Sequence, residues 1–151
     1  MARVLDTQQY LDTVCSLLQQ GEQSVAVPVA GSSMVPFLIN GDIVYLDRPD
    51  GPIKRGDIVL YTRFSGRYIL HRVVRVRKDG SLIMAGDAQT ELELIPDPGQ
   101  VHARVTMVRH KGKINTPDQF RWWAYRHIWL WLRPLRPLLM RLRGKLSRKK
   151  K

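Results

Sequence analysis

Short apolar runs separated by glycine-centred turns fill the middle of the chain, and this cadence predicts strands. Gly41-Asp42-Ile43-Val44-Tyr45-Leu46 and Gly56-Asp57-Ile58-Val59-Leu60-Tyr61 are near copies of one unit, a Gly-Asp turn that opens a strand. Pro49, Gly51 and Pro52 mark the loop between them. The second copy continues through Thr62 and Arg63 to a hairpin turn at Ser65-Gly66 and returns as Arg67 to Arg77. Lys78-Asp79-Gly80 turns into Ser81 to Ala85, a third Gly-Asp follows at Gly86-Asp87, and Val101 to Arg109 reads as the last strand before a turn around Gly112. Upstream, Ser24 to Ala30 alternates valine with small residues around Pro28, the signature of an edge strand. Together these predict a mainly β body, a small antiparallel coiled sheet or barrel.

Helical periodicity appears only at the two ends. Leu5 to Gln20 carries apolar residues at Leu11, Val14, Cys15, Leu17 and Leu18, a helical spacing, and Gly21 is suited to end it, so a short amphipathic N-terminal helix is expected. From Phe120 the texture changes to aromatic residues mixed with arginine, and all four tryptophans of the chain lie there. Pro134 and Pro137 should kink or split this C-terminal amphipathic helical segment, expected over 120–143 with 144–151 frayed. The chain therefore divides into an N-terminal helix at 1–22, a β domain at 23–118 and a basic, Trp-rich tail at 119–151.

Charge sharpens that division. The net charge of +12 is spread unevenly. Residues 1–118 hold fourteen Lys and Arg against all thirteen acids, whereas residues 119–151 hold eleven basic residues and no acid. An anionic partner should thus meet the tail. Cys15 is the single cysteine, so the fold rests on packing and not on an internal disulfide. The N-terminus lacks the basic and apolar regions of a secretory signal, and no uncharged stretch approaches the ~20 residues of a spanning helix.

Candidate chemistry centres on Gly31-Ser32-Ser33-Met34-Val35-Pro36-Phe37, which sits between apolar runs and places a serine at a turn. A serine hydroxyl needs a base within hydrogen-bond reach and a third group to orient that base. His71, in the β-branched run Tyr68 to Val74, is suited to accept the proton, whereas the neighbouring Arg72, Arg75 and Arg77 stay protonated. His71, His102, His110 and His127 lack the close spacing of metal ligands, and no metal is expected. Nor does the chain carry a helix-turn-helix, zinc finger or aromatic stacking sheet, so no nucleic-acid partner is expected.

The ordered set Ser33-Met34-Val35-Pro36, Gly41-Asp42, Gly56-Asp57-Ile58-Val59, His71-Arg72-Val73 and Gly86-Asp87 resembles type I signal peptidases and the related LexA-like self-cleaving peptidases, over roughly residues 24 to 110. The resemblance implies an all-β catalytic core, no metal or organic cofactor, and Ser33 as the nucleophile. His71 resembles the endoplasmic-reticulum and archaeal type, where common bacterial enzymes place lysine. It further implies an acid beyond the Gly-Asp box. Asp87 matches the box, and Glu93 falls where an aspartate usually lies, so either would hold the imidazole tautomer.

Two departures qualify the resemblance. Gly31 stands where the family often has a hydroxyl residue, so the oxyanion would fall to backbone N–H groups, that of Ser33 among them, or to the Ser32 hydroxyl, with Met34 and Pro36 beside the substrate. In place of the family's transmembrane helix, the tail would provide a peripheral membrane contact through Trp122, Trp123, Trp129, Trp131, Arg126 and Arg133. An anionic leaflet adds ~1 kcal/mol per basic residue near it. The expected protein is a signal-peptidase-like serine endopeptidase acting on a leader or precursor peptide at a membrane, with the cytoplasmic face favoured. The alternatives are a non-catalytic, membrane-bound peptide-binding adaptor and a self-cleaving peptidase, for which Ala30-Gly31 and Ala85-Gly86 are candidate sites.

Overall fold

In the computed structural model, which describes residues 7–148, every strand pairing is antiparallel. The strands are β1 (Val25–Pro28), β2 (Ile43–Asp47), β3 (Ile58–Thr62), β4 (Tyr68–Val76), β5 (Leu82–Ala85), β6 (Glu93–Ile95), β7 (Val101–His110) and β8 (Lys113–Asn115). They form one open sheet in the order β1-β2-β7-β3-β4-β5-β6, with β8 hairpinned onto β7. The antiparallel coiled sheet expected from the sequence is present, and it does not close into a barrel. β6 and β8, three residues each, were too short to register as apolar runs.

β3 lies between β7 and β4 and is buried on both faces. Ile58 and Leu60 join one core with Val44, Leu46, Val105 and Phe37, while Val59 and Tyr61 join a second with Val73, Leu82, Met84 and Ile95. Burial on both sides explains why β3 reads as an unbroken apolar run and not an alternation. The N-terminal helix α1 (Thr7–Gln19) closes the first core with Val14, Cys15 and Leu18. It is pinned by Tyr68 Oη donating to Asp12 Oδ1 at 2.7 Å and by Gln8 donating to the Gly66 carbonyl at 2.8 Å.

The two Gly-Asp repeats fold alike. Gly41 and Gly56 take φ of 91° and 92°, a left-handed conformation open chiefly to glycine, and each following aspartate is buried. Asp42 Oδ2 accepts the Ile39 N–H at 3.0 Å, and Asp57 Oδ2 accepts the Lys54 N–H at 2.9 Å. These carboxylates staple strand entries. Gly86-Asp87 does not share that geometry, since Gly86 lacks a positive φ and Asp87 bonds elsewhere.

The C-terminal segment folds as α2 (Phe120–Ala124), a π-helical turn (Tyr125–Trp129), a 3-10 turn holding Pro134 (Arg133–Leu135) and α3 (Arg136–Arg148). The expected split occurs at the prolines, but helix persists past residue 143 to Arg148, and residues 149–151 of the stretch expected to fray lie outside the described ones. The segment packs on the body from its first turn. Trp122, 2% exposed, meets Phe37 edge-on with centroids 5.3 Å apart. Trp122 is therefore a core residue and not the membrane contact expected of it.

Candidate active site

The serine turn is short and tightly bonded. Gly31 at φ 88° reverses the chain after β1, Val35 N–H donates to Ser32 O at 3.2 Å, and Leu38 N–H donates to Met34 O at 2.9 Å. Met34, Phe37 and Leu38 are buried and anchor the turn, while Ser32 is exposed and Ser33 half-buried. Met34 thus packs inward and does not face a peptide. Pro36, half-buried, follows a cis peptide bond. The Ser33 amide donates no hydrogen bond among the described residues and stays free for another acceptor.

Ser33 is tied to the loop after β5. Its carbonyl accepts the Ala88 N–H at 2.9 Å, and a Cβ on Gly86 would stand 2.5 Å from the same oxygen. Only glycine permits that approach. Ala85 lies opposite Arg72 across the β4–β5 ladder, and His71 is the next residue along β4. Ser33 and His71 are thereby brought to one end of the ladder, although no hydrogen bond joins them directly among the described residues.

His71 is 4% exposed. Its Nδ1 lies 3.4 Å from Tyr61 Oη, and that hydroxyl donates to Glu93 Oε2 at 2.8 Å. One hydroxyl has one proton, so a tyrosine that donates to Glu93 can only accept from His71. This assigns the imidazole as the Nδ1–H tautomer, with a free lone pair on Nε2. Arg63 fixes the far end, its Nε and Nη2 reaching Glu93 Oε1 and Oε2 at 2.7 and 2.8 Å. His71, Glu93 and Arg63 also line a cleft of about 450 Å³ beside β5.

Electrostatics follow from this chain. Burial above all, and Arg63 secondarily, push the His71 pKa from its ordinary 6.5 down to about 4, against the opposing pull of Glu93 and Asp87. Arg63 holds the Glu93 carboxyl below its usual range, and burial followed by Glu93 raises the Tyr61 hydroxyl. The sequence pointed to His71 and Glu93 but missed Tyr61 and Arg63, whose roles depend on β3 pairing with β4.

Between pH 6.5 and about 4 the unfolded chain binds a proton at His71 that the folded chain refuses. Stability should therefore be fully present above 6.5 and fall as pH drops through that window, by on the order of 3 kcal/mol from this group. Urea midpoints of wild type and His71→Gln from pH 7 to 4 should converge as pH falls. Parallel curves would remove His71 as the source.

Asp87 has a different partner. Arg72 and Asp87, both wholly buried, form a two-pronged pair, Nε to Oδ1 at 2.8 Å and Nη2 to Oδ2 at 2.7 Å. Arg72 also donates to Gly56 O at 3.0 Å and lies 4.9 Å over the Phe37 ring. Both Asp87 oxygens are thus engaged away from the imidazole. Of the tail residues expected at a membrane, Arg126 binds Asp57 at 3.1 Å, Trp129 donates to Asp87 O at 3.1 Å, and Arg133 donates to Thr90 O. Only Trp123 and Trp131 of that set face outward, 47% and 78% exposed. Among the described residues no helix is long and apolar enough to cross a membrane.

The molecule thus combines an antiparallel β body, a serine turn tied to the loop after β5, and a buried strand imidazole linked through Tyr61 to Glu93. The chain belongs to the Peptidase S24-like family, matched over residues 2–106. It is also similar to the signal peptidase complex catalytic subunit sec11 of Dictyostelium discoideum, 34% identical over 68 residues, a stretch covering 42% of this chain and 37% of that relative. Both findings agree with the resemblance drawn from the ordered motifs. No solved structure is significantly similar.

Proposed function

We propose that the protein is a signal-peptidase-like serine endopeptidase in which Ser33 is the nucleophile, His71 the general base and Glu93 the acid that positions it. The observation that carries this reading is the chain His71–Tyr61–Glu93–Arg63, which leaves Nε2 unprotonated at neutral pH. Ser33 Oγ attacks the scissile carbonyl as Nε2 takes its proton, and the free Ser33 amide, with Ser32 beside it, stabilises the oxyanion. His71 then gives the proton to the leaving amine, and a water hydrolyses the acyl-enzyme by the reverse sequence. Glu93, acting through Tyr61, stabilises the transient imidazolium. Asp87 serves instead to hold the Gly86–Thr90 loop.

The substrate reading comes from a groove whose lining runs along β1 to Ala30, just before the serine turn. A cavity of about 520 Å³ lies between β1, β4 and α1, floored by Val44, Leu46 and Leu60 and walled on the helix side by Thr7, Tyr10 and Leu11. β1 is the edge of the sheet, and β5 pairs with β4 only from Arg72 onward, so Tyr68–His71 also present an open edge. An extended peptide fits between two such edges, bonding to both and dropping alternate side chains onto the apolar floor. A leader or precursor peptide presented at a membrane is the substrate class, with the outward tryptophans of the tail as a peripheral contact.

Mass spectrometry of a peptide library incubated with wild type and Ser33→Ala tests this. Cleavage by wild type alone is expected. Groove-dependent binding with no cleavage by either protein would favour a peptide-binding adaptor, and a wild-type-specific truncation of the chain itself would favour self-cleavage.

The kcat/KM of wild type should stay flat from pH 8 down to about 5 and fall with an apparent pKa near 4, not 6.5. In Tyr61→Phe and Glu93→Gln, kcat should drop roughly 10- to 100-fold while KM changes little, as for a lost orienting group. Gly86→Ala must displace the Ser33 carbonyl, so kcat should fall about 10- to 100-fold with the protein still folded by circular dichroism. Unchanged turnover in Gly86→Ala would show that this contact does not set the nucleophile.

A further inference from the structure

The C-terminal segment carries two stripes. Trp122, Arg126, Trp129, Arg133 and Arg136 recur at helical spacing and face the body. Trp129 donates to Asp87 O, Arg133 to Thr90 O, and Arg136 Nη1 to Gly86 O and Gln89 O, both at 3.4 Å. Four carbonyls of the loop from Gly86 to Thr90 are therefore held by this one segment. The same loop grips the nucleophile's turn through the Ala88 N–H on Ser33 O. The strap thus touches the candidate site at one remove.

Its seat is only weakly satisfied. Arg136 is 1% exposed, yet its bonds are long and its Nε has no partner. The nearby Asp87 carboxylate is already occupied by Arg72, so two buried guanidiniums share the vicinity of one acid. Burial without a carboxylate partner lowers the Arg136 pKa to about 10. Such a contact is stable only while the helix carrying it stays docked.

The opposite stripe is open. Phe120 and Trp123, and then Trp131, Leu135, Leu138 and Leu142, follow one another at steps of three or four residues and are 47–78% exposed. Arg141 and Lys145 beside it are exposed, and residues 119–151 carry eleven basic residues and no acid. An apolar, tryptophan-bearing face flanked by exposed basic residues, in a segment without acids, is complementary to an anionic bilayer surface.

We propose that an anionic lipid surface activates this peptidase by docking on the outer stripe and so holding Trp129, Arg133 and Arg136 against the Gly86–Thr90 loop that sets Ser33. This rests on the serine peptidase reading above. Lipid shifts the equilibrium because it binds the seated strap better than an undocked one, and seating lowers the freedom of the loop.

The test uses the full chain with phosphatidylglycerol-containing vesicles, with pure phosphatidylcholine vesicles and without lipid. Peptide turnover is followed alongside hydrogen exchange at Ala88. Anionic vesicles should raise kcat about 10-fold and slow Ala88 exchange, with little effect from phosphatidylcholine. The exposed-site variant Trp131→Ser/Leu138→Ser should lose both responses at an unchanged Tm. Vesicle binding that alters neither turnover nor Ala88 exchange, or responses that survive in the variant, would overturn the proposal. Slowed Ala88 exchange in a protein that cuts no peptide would keep the lipid coupling and sink the peptidase reading. Cleavage indifferent to lipid would do the reverse.

Discussion

Ser33→Ala and His71→Ala should each lower kcat/KM for a cleaved peptide by at least about 10³-fold, and the double variant should lose little more. The near-absence of additivity is the informative part. If His71 acts by taking the Ser33 proton, removing either group disables the same step, and the second removal finds nothing left to disable. The residual rate then comes from the Ser33 amide and from binding in the groove between β1 and β4. Single-turnover kinetics on a peptide identified from the library provide the measurement. Losses that multiply would mean two separate contributions, and a fully active His71→Ala would assign the base elsewhere. Buried His71 is neutral at the pH of such an assay, so its loss adds no stranded charge to confuse the result.

Much of this arrangement was legible in the sequence because it depends on local signals. Gly-Asp turns ahead of β-branched runs gave β2 and β3, and the serine turn was marked by Gly31 and Pro36. The helical spacing of Val14, Cys15 and Leu18 gave the face of α1 that is buried. What stayed hidden depends on register. Tyr61 reads as the last apolar residue of a strand, and only the pairing Tyr61↔Ile69 brings its hydroxyl to His71. Arg72 reads as one of several strand cations, yet it is wholly buried against Asp87. Glu93 and Asp87 were equivalent in the sequence, and the structure separates them by partner, a tyrosine beside the imidazole for one and a guanidinium for the other. In the tail, amphipathic composition was correctly legible, but which stripe faced outward was not. Trp122 and Trp123 are neighbours in sequence with opposite fates, one in the core and one exposed.

Asp87→Asn should cost about 3–5 kcal/mol of stability, the largest effect expected from any conservative change in this chain. Both partners of the Arg72–Asp87 pair are excluded from solvent, so the variant leaves the Arg72 guanidinium buried with no carboxylate, and Arg136 is already close by in the same condition. The charge cannot be relieved by deprotonation, because arginine keeps its proton. Replacing both partners, as in Arg72→Leu/Asp87→Ala, removes the stranded charge, and the double variant should recover much of the stability lost by the single one. Urea unfolding of the three variants at pH 7 measures the coupling. A single variant within about 1 kcal/mol of wild type would show that the pair is not what holds the loop. Stability retained with turnover abolished would transfer the role of the orienting acid from Glu93 to Asp87. The expected pattern is instead a large loss of stability in Asp87→Asn beside a nearly unchanged Tm and a selectively lowered kcat in Glu93→Gln. Glu93 is partly open to solvent at its contact with Arg63, where the same loss of charge is screened by water.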